Sequence, residues 1–166
     1  SGFGFSKINC AALPAELLER ELFGYESPGA SGAARSRPGK LEMAQKGTLL
    51  LDDVAELPLP LQARLVHVLQ EKQSFRAGGE GRIEVDVRII AATSQNLEQA
   101  IANRTLREDL YYRLSAFTVH VPPLRQRREE IPLLMGYLMN RVARHYGLPA
   151  RMFSPAVLEA CQAHSW

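Results

Sequence analysis

Residues Gly47-Thr48-Leu49-Leu50-Leu51-Asp52-Asp53-Val54 run an apolar stretch straight into two adjacent carboxylates. A continuous apolar run predicts a strand covered on both faces, as in a parallel sheet. Acids at the carboxyl end of such a strand stand where open α/β sheets hold their ligands. Neighbouring carboxylates taken out of water are costly unless a cation or strong donors attend them. The pattern points to a nucleotide-hydrolysing site of the Walker B kind. Asp52 would hold Mg²⁺, directly or through water, and Asp53 would polarise an attacking water. The same residues also fit a strand that ends in a solvated turn.

The elements that would position these acids can be read along the chain. Phe5 to Asn9 reads as a short strand. Pro14 opens a helix with Leu17, Leu18 and Leu22 at helical spacing, and Gly24 stops it. Tyr25 to Gly39 is rich in Gly, Ser, Ala and Pro and reads as a long exposed loop. Leu41 to Gln45 reads as a helical turn before the strand that ends at Asp52. Pro58 and Pro60 start a helix with Leu61, Leu65, Val68 and Leu69 on its buried face. Gly78, Gly79 and Gly81 mark a second loop. Ile83 to Ala92 reads as one strand entering the sheet centre. Asn96 caps a short helix, and Thr105 caps another around Arg107 to Leu114. Ala116 to Val121 reads as a strand ended by Pro122-Pro123, and helices follow over 129–146 and 155–163. Strands alternating with helices predict an α/β fold, a mostly parallel sheet flanked by helices. The composition shift divides the chain into an α/β part over 1–122 and the start of a helical subdomain over 123–166.

Composition narrows the function classes. The 166 residues are 46% hydrophobic and 23% charged, ordinary for a chain that builds a core. A net charge of +2 selects neither for nor against nucleic acid. Cys10 and Cys161 show no metal-ligand spacing and no disulfide framework, which suits a reducing, cytoplasmic setting. No apolar run reaches membrane-spanning length, so no membrane partner is expected. The four histidines lack ligand spacing. Arg125, Arg127 and Arg128 precede Glu129 and Glu130, an arrangement that suits a solvated helix start better than a DNA contact.

Several segments together resemble the AAA+ domain of bacterial enhancer-binding regulators, the activators of sigma-54 RNA polymerase. They are Asn9-Cys10-Ala11-Ala12-Leu13-Pro14, Glu21-Leu22-Phe23-Gly24, Gly47 to Asp52, Val87 to Thr93, Leu106 to Leu114, and Pro122-Pro123-Leu124-Arg125. The resemblance covers nearly the whole chain, in the family's order. It implies a P-loop-type parallel sheet followed by a helical lid. It also implies ATP and Mg²⁺ bound between subunits of a hexameric or heptameric ring, and sigma-54 polymerase as partner. DNA binding would belong to a separate domain.

The resemblance also assigns roles. Asp52 matches the magnesium aspartate. Asp53 stands where a catalytic glutamate is usual, and Asn9 matches the asparagine that holds that acid. Thr93 and Ser94 fall on the sensor pair, with Ser94 in place of the usual Asn. Arg107 and Arg113 match arginines lent to the neighbouring subunit's γ-phosphate, a use suited to a rigid cationic fork. Without the resemblance, these arginines also read as a solvated helix paired with Glu108 and Asp109. Gly29, Ala30, Ser31, Gly32 and Ala33 match the sigma-contacting loop, in which the family's aromatic is absent. Arg76 to Arg82 match the second pore loop.

No Gly-x-x-x-x-Gly-Lys-[Ser/Thr] occurs in these residues. The chain reads as an interior piece that starts after the phosphate loop, inactive and without cofactor by itself. In the family, the strand that leads into that loop lies between those matching Ala116–Val121 and Asp86–Thr93. Its absence predicts that these two strands re-pair, recruit a strand from another copy, or leave an edge. The residues leave a second reading open, a non-hydrolysing oligomerisation or regulatory module acting on another sigma factor or partner. A magnesium hydrolase built on Asp52 and Asp53 alone fits less well, because no further acid or His completes a metal shell.

Overall fold

The computed structural model describes residues 4–27 and 35–166. They fall into two compact units, one running to Phe117 and one from Thr118 to Trp166.

In the first unit, β1 (Phe5–Asn9) leads to α1 (Ala15–Phe23). Pro14 sits at the N-cap with φ −58°, the angle its ring enforces. Leu18, Leu22 and Phe23 face the core, whereas Leu17 is exposed. Gly24 ends the helix at φ +80°, and a Cβ there would lie 2.6 Å from the Arg37 carbonyl oxygen. Only glycine fits that turn.

The stretch read as one long loop begins and ends instead in a hairpin. β2 (Gly24–Ser27) pairs antiparallel with β3 (Arg35–Pro38). The sigma-loop residues Gly29, Ala30, Ser31, Gly32 and Ala33 lie outside the described residues. After α2 (Lys40–Met43) comes β4 (Thr48–Asp52), then a 3₁₀ turn at Val54–Glu56 and α3 (Leu59–Glu71).

The span read as one strand over Ile83–Ala92 divides in two. β5 (Gln73–Phe75) pairs antiparallel with β6 (Arg82–Glu84), and β7 (Arg88–Ala91) is separate. The break has a cause. Val85 turns into the core and its N–H donates to the Lys72 carbonyl at 2.8 Å. The Asp86 carbonyl then accepts from the Lys46 N–H at 2.6 Å. Next come α4 (Leu97–Ala102) and α5 (Glu108–Leu114). Asn96 caps α4, its Oδ1 accepting from the Gln99 N–H at 3.0 Å. Thr105 does not cap α5: its hydroxyl donates to the Ala100 carbonyl at 3.1 Å, closing the end of α4. Arg107 occupies the N-cap position of α5.

The central sheet has the order β1-β4-β7, all parallel. Its register sets Asn9 beside Asp52 and Leu51 beside Ala91. Leu49 and Leu51 on β4 are fully buried and pack in one core with Leu18, Leu22, Leu65 and Leu110. Parallel strands need this cover on their faces.

Ala116–Val121 forms no strand, contrary to expectation. Phe117, Val119 and Val121 are exposed. Among the described residues β7 pairs only with β4, so the expected re-pairing of β7 with Ala116–Val121 within the chain does not occur.

The second unit holds 3₁₀ turns at Leu124–Gln126 and Arg128–Glu130, then α6 (Ile131–Tyr146) and α7 (Pro155–Ala163). Ser154 caps α7. No helix among the described residues is long and apolar enough to cross a membrane.

Candidate functional site

The two acids sit where β4 leaves the sheet. Asp52 is the last strand residue, and Asp53 follows in the left-handed region at φ 51° and ψ 46°. That turn separates the carboxylates onto different neighbours. Asp53 Oδ2 accepts from Asn9 Nδ2 at 3.2 Å, and Asn9 Oδ1 accepts from the Ala11 N–H at 2.8 Å. Asn9 is thereby fixed from both ends and holds Asp53. Asp52 Oδ2 lies 2.6 Å from Lys7 Nζ, a cation in register two residues before Asn9 on β1. The strand tips are tied together as well. The Cys10 N–H donates to the Asp52 carbonyl at 2.9 Å, and the Val54 N–H to the Ala92 carbonyl at 3.0 Å.

Thr93 follows directly and is half-buried, with its Oγ1 accepting from the Gln95 N–H at 3.1 Å. Ser94 is exposed. The Gln95 amide donates to Glu56, which joins this turn to the one after Asp53. The donors gathered here are hard oxygens. Mg²⁺ takes such donors, commonly one or two carboxylates completed by water and phosphate oxygens. No cluster of three or more His, Cys, Asp or Glu among the described residues could hold an ion on protein ligands alone.

The acids also act on Cys10. Burial first, then the charges of Asp53 and Asp52, push its thiol up from 9.0 to about 11. The folded state therefore keeps this proton longer than the unfolded chain does. Stability from this group is intact below pH 9.0 and is lost as pH rises towards about 11. Iodoacetamide at pH 8 should modify half-buried Cys161 and spare Cys10, as peptide mass spectrometry would show. Equal labelling of both would contradict this environment.

The arginine segment lies on the same unit. Arg107 and Arg113 are both exposed, so each is open to another molecule. Asp109 grips Arg107 side-on, accepting from Nε at 3.0 Å and from Nη2 at 2.8 Å. This contact holds the Asp109 carboxyl below its ordinary range. The pairing expected of a solvated helix is thus present for Arg107, and it also aims the guanidinium.

Gln62 is fully buried on α3, and its amide reaches the backbone beside Arg107. Nε2 donates to the Leu57 carbonyl at 2.6 Å and to the Thr105 carbonyl at 2.8 Å, while Oε1 accepts from the Arg107 N–H at 2.8 Å.

Arg76 joins the stems of the two loops. It donates to Glu42 at 2.8 Å and 3.0 Å, to Glu26 at 2.7 Å and to Ser36 Oγ at 2.8 Å. Those hydrogen bonds, Glu42's first and then Glu26's, raise the guanidinium pKa. The stems also share backbone bonds: the Glu26 N–H donates to the Ala77 carbonyl at 2.8 Å, and the Ala77 N–H to the Gly24 carbonyl at 3.0 Å.

Sequence reasoning missed Lys7, Gln62 and the ion-pair cluster around Arg76, whereas Asp109 was already named as a partner for the arginines. Only Gln62 left a usable signal: an amide beside Leu61 and one turn before Val66, on the apolar side of α3.

Comparison with known proteins identifies the family. A family model described as the Sigma-54 interaction domain matches residues 2–120. The chain is 45% identical over 162 residues to the DNA-binding transcriptional regulator NtrC of Escherichia coli K12, covering 98% of this chain and 34% of that protein. It is 44% identical to the transcriptional regulatory protein XylR of Pseudomonas putida, covering 98% of this chain and 29% of XylR. The crystal structure of NtrX from Brucella abortus superposes with a TM-score of 0.89 at 42% identity, covering 99% of this chain and 37% of NtrX. NtrX in complex with ATP gives a TM-score of 0.88 at 43% identity, covering 99% and 35%. The chain thus spans about a third of the length of the relatives it matches. On the domain match and the strand-tip acids together, the chain belongs to the sigma-54 interaction domain family.

Proposed function

We propose that this domain, within its full-length protein, binds ATP and Mg²⁺ between adjacent copies in a ring, hexameric or heptameric. Hydrolysis there would remodel sigma-54 RNA polymerase in the cytoplasm. The observation that carries the reading is the Asn9–Asp53 hydrogen bond of 3.2 Å at the carboxyl end of the sheet. It sets one carboxylate for water while Asp52 stays beside a cation. Bound Mg²⁺ would neutralise phosphate charge and orient the phosphates.

In this reading Asp52 ligates the ion, and Asp53, held by Asn9, accepts hydrogen bonding from the attacking water. Thr93 and Ser94 line the same strand ends and sense the phosphate. Arg107 and Arg113 approach the nucleotide of the adjoining subunit, where cations stabilise developing charge. The ATP complex of NtrX, a relative with the same fold, supports nucleotide binding. Gly29, Ala30, Ser31, Gly32 and Ala33 form the proposed sigma contact, which lacks the largest apolar group a loop tip offers.

The test is ATP turnover by the full-length protein across a range of concentrations. Because each site needs two subunits, turnover per subunit should rise as oligomers form, tracked by light scattering. Intact oligomers with no turnover would overturn this reading in favour of a non-hydrolysing module.

A further inference from the structure

We propose that Gln62 is a positioning residue that sets Arg107 for the adjoining subunit's nucleotide. The inference rests on the function proposed above and adds a residue to it.

One buried amide holds the backbone on both sides of Leu106. Gln62 Nε2 donates to the Thr105 carbonyl, and Oε1 accepts from the Arg107 N–H. Leu106 between them is itself buried. The second Nε2 proton goes to the Leu57 carbonyl, at the end of the turn that follows Asp53. The amide orientation is fixed by this pattern, since a flip would set oxygen against two carbonyls and NH₂ against an N–H. Both donors and one acceptor lone pair are used.

Such a group is costly to bury and costly to truncate, because three backbone partners would lose their bonds together. Arg107 occupies the N-cap position of α5 with φ −71° and ψ 133°. The direction of its side chain follows from that backbone, and Asp109 then orients the guanidinium. Gln62 touches neither acid. Its effect falls on the arginine segment, which serves the neighbour rather than its own subunit.

That asymmetry supplies the test. In the full-length protein, Gln62→Met keeps length and packing but removes all three hydrogen bonds. Turnover should fall about 10- to 10²-fold, the scale of a misplaced catalytic group. Binding of a fluorescent ATP analogue should change less than about 2-fold, because Asp52, Asp53 and Asn9 are untouched. Without nucleotide, exchange of the Arg107 amide hydrogen should quicken about 10-fold, the scale of one lost hydrogen bond.

Equimolar mixing of Gln62→Met with Asp52→Ala subunits then separates the two directions. Some interfaces pair an intact Asp52 from one variant with an intact Gln62 and Arg107 from the other. Activity should recover as far as in the control mixture of Arg107→Ala with Asp52→Ala. Recovery in the control but not with Gln62→Met would overturn the proposal, as would full turnover by Gln62→Met. Should Gln62→Met fail to assemble, Gln62→Asn, one methylene too short, carries the same expectations. A parent protein without turnover would defeat the functional reading instead, leaving the amide-exchange result to report the Gln62 contact separately.

Discussion

Changing Arg107 to alanine in the full-length protein should lower ATP turnover by about 10³-fold or more, the effect expected if it stabilises phosphoryl transfer in trans as proposed. Oligomer mass should stay the same, and nucleotide affinity should fall far less than turnover. Magnitude decides between two readings of this residue. Arg107 is exposed and its visible partner is Asp109 two positions on. If that pair were only a solvated surface contact, losing it would cost under about 1 kcal/mol and barely touch the rate. A steady-state ATPase assay with sizing by light scattering separates a collapse from a small change. A loss below about fivefold would remove Arg107 from the site.

Asp52→Asn has the second large effect. It keeps the shape of the side chain and removes its charge. Turnover should fall about 10²- to 10³-fold, as for loss of one preorganised electrostatic group. The Mg²⁺ concentration needed for half-maximal rate should rise. Folding should be little changed, because Lys7, the partner left behind, is half exposed and solvated. Titrating Mg²⁺ at saturating ATP measures the effect. An unchanged Mg²⁺ requirement would place the ion elsewhere.

Much of this arrangement is legible in the sequence. The leucines of β4 demand burial on both faces, and Pro14, Asn96 and Gly24 act through local backbone chemistry that needs no partner. Asp52 and Asp53 follow from the same stretch. The failures share a cause. β2 and β3 carry polar, non-alternating residues, so their pairing comes from neighbours, as strand preference usually does. Phe117, Val119 and Val121 alternate like a strand, yet alternation forms no ladder where no partner strand lies alongside. Val85 breaks a regular alternation because Lys72 and Lys46 capture the backbone around it. In the site, Asn9 and the two arginines were assigned only through resemblance, since an isolated Asn or Arg has no periodic signature. Gln62 leaves one trace, an amide on the apolar side of α3, but two of the three backbone partners that converge on it come from a distant part of the chain.

The Arg76 tie has a mechanical meaning. One guanidinium spans Glu26 on β2, Ser36 on β3 and Glu42 on α2, while standing at the foot of the second loop. The ends of the hairpin at Ser27 and Arg35 are therefore braced by one shared side chain. Moving β2, β3 or α2 away from the others would break a hydrogen bond to this one guanidinium.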